Sequence, residues 1–189
     1  SELWEAAEFP VHYDWGKDVS DSDKNKGILY GLLFNLLNVL APNAKWDICL
    51  KELEKLTELS EETKAQYATQ AKEWAKAQKR DPIIYTIGSG INYGEVYSTA
   101  MCWFMEMQWI NAAVIHSGEF FHGPFEITDK NGAFFLLVAD GRTRKADERA
   151  ITFLKKYAGE KVYILDAKEL GLDNLKDSVS EYFNHLLFT

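Results

Sequence analysis

The run Ile83-Ile84-Tyr85-Thr86-Ile87-Gly88-Ser89-Gly90 decides how this chain folds. β-Branched and aromatic residues in a short apolar run favour a strand, and the two glycines that follow supply a tight turn. From Tyr93 to Trp109 apolar residues return at helical spacing. The segment therefore reads as strand, glycine turn, helix, which is the opening of a parallel βαβ unit. Asp81-Pro82, just upstream, stops whatever helix precedes it.

Further units follow downstream. Ala112-Ala113-Val114-Ile115 is a second apolar strand, followed by a turn at Ser117-Gly118 and a short helical piece through Phe120. Strands fit residues 133–138 and 161–165, separated by a helix over 147–157 that Gly159 terminates. A last helix is predicted over 175–187. Upstream, residues 46–58 and 61–79 alternate charged and apolar positions as amphipathic helices, the second starting at Ser60 with Glu62 and Thr63 behind it. Residues 26–40 are apolar on nearly every helical face, which predicts a mostly buried helix ending before Ala41-Pro42-Asn43. Residues 1–24 mix aromatics with Pro10, Gly16 and a polar run and read as irregular. Strands that are apolar on both faces and alternate with helices imply an α/β fold. The expected architecture is a three-layer α/β/α domain with a central, mostly parallel sheet, preceded by helical segments. The boundaries are an irregular lead-in over 1–25 and the domain over 26–189.

Composition narrows the function classes. With 47% hydrophobic and 26% charged residues in 189, the chain buries a real core and disorder is excluded. A formal charge of -8 and no basic stripe argue against nucleic acid as a partner. Leu32 to Leu40 is interrupted by Asn35 and Asn38 and falls well short of the roughly 20 apolar residues of a bilayer span, so no membrane partner is expected. Cys49 and Cys102 have no metal-ligand spacing and no secretory signal is visible, which makes the cytoplasm the expected location. Ser1 in place of Met, and an end straight after the apolar stretch 182–188, suggest a fragment.

Four places could carry chemistry. The turn Gly88-Ser89-Gly90 offers backbone N–H groups to an anion at a helix start, or is simply a tight strand-to-helix turn. A dinucleotide fingerprint is not completed, so no nicotinamide cofactor is expected. Glu106 has Cys102, Trp103, Trp109 and Ile110 at helical spacing, which predicts a carboxylate in an apolar stripe. Burial and its place in the last helical turn would both raise its pKa towards a general base; the alternative is a solvated or ion-paired carboxylate. His122 stands just before Gly123-Pro124 in a loop beyond a strand, where a histidine can move protons or can be merely structural. Ser117 and Glu119 flank the same turn as binding candidates or as caps of the helical piece. His116 reads as a core or edge histidine, and His12 and His185 have no partner pattern. No set of histidines and carboxylates has metal spacing, so neither metal nor cofactor is expected.

Phe104-Met105-Glu106-Met107-Gln108-Trp109-Ile110, followed by Ile115-His116-Ser117-Gly118-Glu119-Phe120-Phe121-His122-Gly123-Pro124-Phe125-Glu126-Ile127, resembles the second sugar isomerase (SIS) domain of Amadori-phosphosugar deglycases. Fructose-asparagine 6-phosphate deglycases are the nearest in kind, with fructoselysine 6-phosphate deglycases next. The Gly-Glu-x-x-His-Gly-Pro signature is also similar to the isomerase half of glucosamine-6-phosphate synthase. The resemblance is clear from about residue 83 to 188 and looser from 26. It implies another SIS domain ahead of this one, carrying most of the sugar-phosphate site, and a further tail. It implies that Glu106 and His122 are the catalytic pair, that the substrate is a phosphorylated sugar linked to an amino acid, and that a homodimer shares its active sites. A phosphosugar isomerase or amidotransferase domain, and a phosphosugar-sensing module, are the alternatives.

Overall fold

A computed structural model describes residues 1–188. The chain divides into two compact units, Ser1–Ser60 and Glu61–Thr189.

The first unit is helical. A short helix α1 (Glu2–Ala6) is followed by irregular chain to α2 (Asn25–Leu40) and α3 (Ala44–Leu53), and α4 (Leu56–Gln78) begins here and continues into the second unit. Asn43 caps α3 by accepting from the Lys45 N–H. Phe34 of α2 stacks on Trp46 of α3 at 6.4 Å, and Gly31 lies against Leu53. The lead-in is pinned at its end, where the Asp21 N–H donates to Thr57 Oγ1 at 2.8 Å and the Ser20 hydroxyl meets the same oxygen. Its aromatics Phe9, Tyr13 and Trp15 are exposed. The buried helix expected over 26–40 is corrected: only Gly27 and Phe34 are buried, while Leu29, Leu32, Leu33, Leu36, Val39 and Leu40 are exposed. A helix apolar all round needs neighbours on every side to be buried. The start expected at Ser60 is also corrected, since α4 runs through it from Leu56.

The second unit holds one parallel sheet in the order β2-β1-β3-β4, made of β1 (Ile84–Gly88), β2 (Ala112–His116), β3 (Ala133–Val138) and β4 (Val162–Asp166). Each predicted strand is present to within one residue. Phe134, Leu136 and Val138 of β3 turn to one face, where they join Ile87, Ile115, Phe120, Ala150 and Leu154 in a buried cluster under α6 (Arg144–Tyr157). Phe135 and Tyr163 turn to the other face, against Trp74 of α4 at 5.2 Å each. Two-sided burial explains why these strands read as continuous apolar runs rather than as alternation. The three-layer α/β/α expectation is met.

The connection from β1 to β2 passes through α5 (Tyr93–Ser98), which continues as a π-helix over Thr99–Met107. Its Phe104 packs on Phe135, placing it on the same face as Trp74. Gly88 makes this approach possible: a Cβ there would lie 2.6 Å from Val96 Cγ2 and 2.8 Å from the Leu137 carbonyl oxygen. On the opposite face α6 starts three residues earlier than the sequence suggests, because Arg144 is held by a bidentate ion pair to Asp166 at the end of β4 (2.8 and 2.6 Å). The last predicted helix is shorter than expected: only a 3-10 turn over Ser180–Phe183 and α7 (Asn184–Leu187) are helical. Asn184, fully buried, spends its amide on the Asp140 backbone and the Glu181 carbonyl instead. No helix among the described residues is long and apolar enough to cross a membrane.

Gly88→Ala is expected to destabilise the chain by about 1–3 kcal/mol, because neither the Leu137 carbonyl nor the packed Val96 can retreat freely. Urea unfolding of the two proteins measures this, and an unchanged midpoint would show that α5 moves away at no cost.

Candidate active site

At the carboxyl ends of β1 and β2 three buried polar side chains converge. The hydroxyls of Ser89 and Ser117 each donate to Asp147 Oδ1 at 2.6 Å, and all three residues are at most 1% exposed. Ser89 follows β1, Ser117 follows β2, and Asp147 sits in the first turn of α6, so one carboxylate joins three elements. Its Oδ2 is buried with no hydrogen-bond partner among the described residues. Burial raises the Asp147 pKa and outweighs the Ser117 and Ser89 hydroxyls, the nearby Ala139 N–H and the neighbouring His116 ring, which pull it down. The sequence reading missed Asp147; an acidic residue in the first turn of a helix looks like an ordinary dipole partner.

Of the expected binding residues, Gly88, Ser89, Gly90 and Ser117 are brought together here, with the Ser117 N–H donating to the Gly88 carbonyl at 2.9 Å. Both serine hydroxyls are already engaged by Asp147. Gly90 borders an open cleft of about 310 Å³ shared with Asp140, Arg142, Thr143, Glu181 and Tyr182. Its φ of +58° is a left-handed conformation, and a Cβ would strike Thr143 Oγ1 at 2.4 Å, so glycine is required on both counts. Glu119 lies apart and exposed, its carbonyl accepting from the His122 N–H at 2.8 Å.

Glu106 is on the π-helical segment and is exposed, which is the solvated alternative and not the buried carboxylate. The apolar stripe around it exists but faces outward: Trp103 is 57%, Met107 60% and Trp109 90% exposed. A π-turn is wider than an α-turn and rare, and where it occurs it is often at functional sites. Trp109 has a φ of +58°, the one non-glycine positive φ among the described residues. For so bulky a residue this is strained, and its side chain is almost fully exposed among the described residues.

His122 is also exposed, ending a 3-10 turn over Phe120–His122. The segment is nailed to α6 by its aromatics. Phe120 is fully buried against Phe153, and Phe121 lies edge-on to Phe153 and beneath the Arg149 guanidinium at 3.8 Å. A second 3-10 turn over Pro124–Ile127 adds Phe125 to the same aromatic cluster. The imidazole is thus presented outward from a rigid base. Glu106 and His122 therefore belong to elements packed on opposite faces of the sheet, and β2 runs between them in the chain.

The other histidines are engaged elsewhere. His116 Nδ1 accepts from the Gly118 N–H and its ring meets Tyr93, while His185 pairs with the buried carboxylate of Glu95 at 3.1 Å. Among the described residues no group of three or more histidine, cysteine or acidic side chains could hold a metal ion.

The sequence matches no protein-family model. It is 42% identical over 187 residues, 99% of the chain, to fructosamine deglycase FrlB of Bacillus subtilis strain 168. The solved structure of a candidate phosphosugar isomerase from Bacillus subtilis superposes on 99% of the chain with a TM-score of 0.91 at 41% identity. Along nearly its whole length the chain is thus similar to a phosphosugar deglycase and to structures described as phosphosugar isomerases. Fructoselysine 6-phosphate deglycase of Escherichia coli K12 is a more distant relative, 27% identical over 90% of the chain. The chain spans about half the length of these curated relatives, 57% of the first and 49% of the second.

Two outcomes follow for variants of this unit. Trp109→Gly is expected to raise stability by about 1 kcal/mol through relief of the left-handed backbone, measured by denaturant unfolding; a loss would show that the indole packs in solution. Asp147 has a folded-state pKa above its unfolded value, so its contribution to stability is fully present below the unfolded pKa and is lost as pH rises through the folded one. Asp147→Asn keeps an acceptor for both serines without the charge. Relative to the native chain it should gain stability from acid to neutral pH in parallel melts, and a constant difference across that window would sink this reading.

Proposed function

We propose that the protein carrying this chain is a phosphosugar deglycase that hydrolyses a fructosyl-amino-acid 6-phosphate to glucose 6-phosphate and the free amino acid. The observation that carries this reading is the 42% identity, along 99% of the chain, to a protein named fructosamine deglycase. The Glu106 and His122 segments add the chemistry expected of such an enzyme.

In the proposed mechanism His122 assists opening of the sugar ring. Glu106 then removes a C1 proton from the ketosamine to give an enaminol, and protonation at C2 yields the imine of glucose 6-phosphate. Water adds to that imine and releases the amine. One positioned base and one positioned acid suffice for the enolisation, each contributing about 10² to 10⁴ in rate. Glu106 and His122 project from opposite faces of one sheet, so we propose that Glu106 of one copy works with His122 of another in a homodimer. The exposed Trp103, Met107 and Trp109 around Glu106 suit a surface that becomes covered on assembly. Residues 26–189 would then form the second SIS domain of the enzyme and 1–25 the end of the domain before it. An asparagine- or aspartate-type amino acid is the preferred leaving group. A phosphorylated substrate and two free cysteines accord with a cytoplasmic setting.

The test is coupled detection of glucose 6-phosphate from fructose-asparagine 6-phosphate and fructoselysine 6-phosphate, with the amino acid quantified alongside. Glu106→Ala and His122→Ala should each lower turnover by about 10² to 10⁴. Mixing the two inactive variants should restore about a quarter of the native activity, because half of randomly mixed dimers contain one intact site of two. Release of no amino acid from either substrate would favour a phosphosugar isomerase, and no recovery on mixing would place both residues in a site within one copy.

A further inference from the structure

Neither Glu106 nor His122 lines the cleft at the carboxyl edge of the sheet. It opens between the ends of β1 and β3, where the connections leave in opposite directions because β2 and β4 lie on opposite sides. Open α/β sheets bind ligands at such switch points. Gly90 and Ile91 form one wall, the chain after β3 the floor, and Glu181 with Tyr182 the other wall. The floor and the second wall are fixed to each other by Asn184, which bonds the Asp140 N–H and carbonyl and the Glu181 carbonyl.

The charges decide what fits. Asp140 is engaged by Lys168 at 3.5 Å. Glu181, whose carboxylate lies over Gly141, and Arg142 line the same cleft, and neither forms an ion pair among the described residues. A phosphate dianion is poorly served: Asp147 lies beneath the turn and holds both serine hydroxyls, and the two cations, Arg142 and Lys168, are balanced by Asp140 and Glu181. A neutral ligand with both signs of charge meets no such repulsion, and can satisfy the free carboxylate and the free guanidinium together. Ile91 and Tyr182 provide apolar surface for a short side chain. At about 310 Å³ the cleft is of small-molecule size.

We propose that this cleft binds a free α-amino acid, its ammonium group on Glu181 and its carboxylate on Arg142. The site lies beyond the deglycase reading and requires no turnover. If that reading holds, the cleft is a second place at which the released product engages the enzyme.

The test is titration of the ¹⁵N-labelled chain with L-asparagine and with L-lysine, following amide shifts. Binding of either should shift Gly90, Gly141 and neighbouring amides. Glu181→Gln and Arg142→Gln, both surface changes whose folding is checked by far-UV circular dichroism, should each weaken binding at least about tenfold. The N-acetyl derivative and the α-amide of the same amino acid, each lacking one charge, should weaken it similarly. Absence of shifts in the cleft with both amino acids overturns the proposal. So do equal binding of the singly charged analogues, and an equal or stronger response to glucose 6-phosphate, which would make the cleft a phosphosugar site. Because no turnover is read, a negative titration leaves the deglycase assay standing, and an inactive enzyme leaves the titration standing.

Discussion

One carboxylate organises the functional edge of this domain. Asp147 receives the hydroxyl after β1 and the hydroxyl after β2 while sitting at the start of the helix that follows β3. The three crossover units that must meet at the carboxyl edge are thus tied at a single buried point. Burying a carboxylate is costly unless donors surround it, which is why two serines stand where an open ligand loop would otherwise expose them. The same arrangement supplies an internal anion where an incoming phosphate would need free donors. What remains available to a ligand is the cleft beyond, with its own pair of opposite charges.

Around that edge the packing is divided by the sheet. One face takes Trp74 and Phe104 on Phe135; the other takes Phe120, Phe121 and Phe125 on Phe153. Each aromatic group holds one candidate catalytic residue at the surface, Glu106 on the first side and His122 on the second. Each residue rises from a well-packed base, so its direction is set although its side chain is exposed. The proposed reaction brings the two together through a second copy, and the outward apolar residues beside Glu106 would give such an assembly something to bury.

The candidate site was only partly legible. The motif around Glu106 and His122 offered the pair only as candidates through a resemblance, and the turn at Gly88 was visible from two glycines after a strand. The direction of Glu106 was not, because helical spacing of three and four presumes α-turns and the segment over Thr99–Met107 is a π-helix. Nor could spacing distinguish an apolar stripe packed inside from one left on the surface. The leucines of α2 fail for the same reason, since periodicity reports which residues are apolar and not what covers them.

By itself the sequence determined the alternation of strands and helices, the parallel sheet, the position of the glycine turn and the resemblance to SIS-domain proteins. These depend on local propensity and short-range pattern, which each segment carries in itself. The tertiary structure alone decided that Ser89 and Ser117 serve Asp147, that Arg142 and Glu181 line one cleft with no ion pair among the described residues, and that Glu106 and His122 belong to elements on opposite faces. Those facts join residues far apart in the chain, up to 58 positions for Ser89 and Asp147. No local pattern encodes such a meeting, because the closing of the sheet creates it.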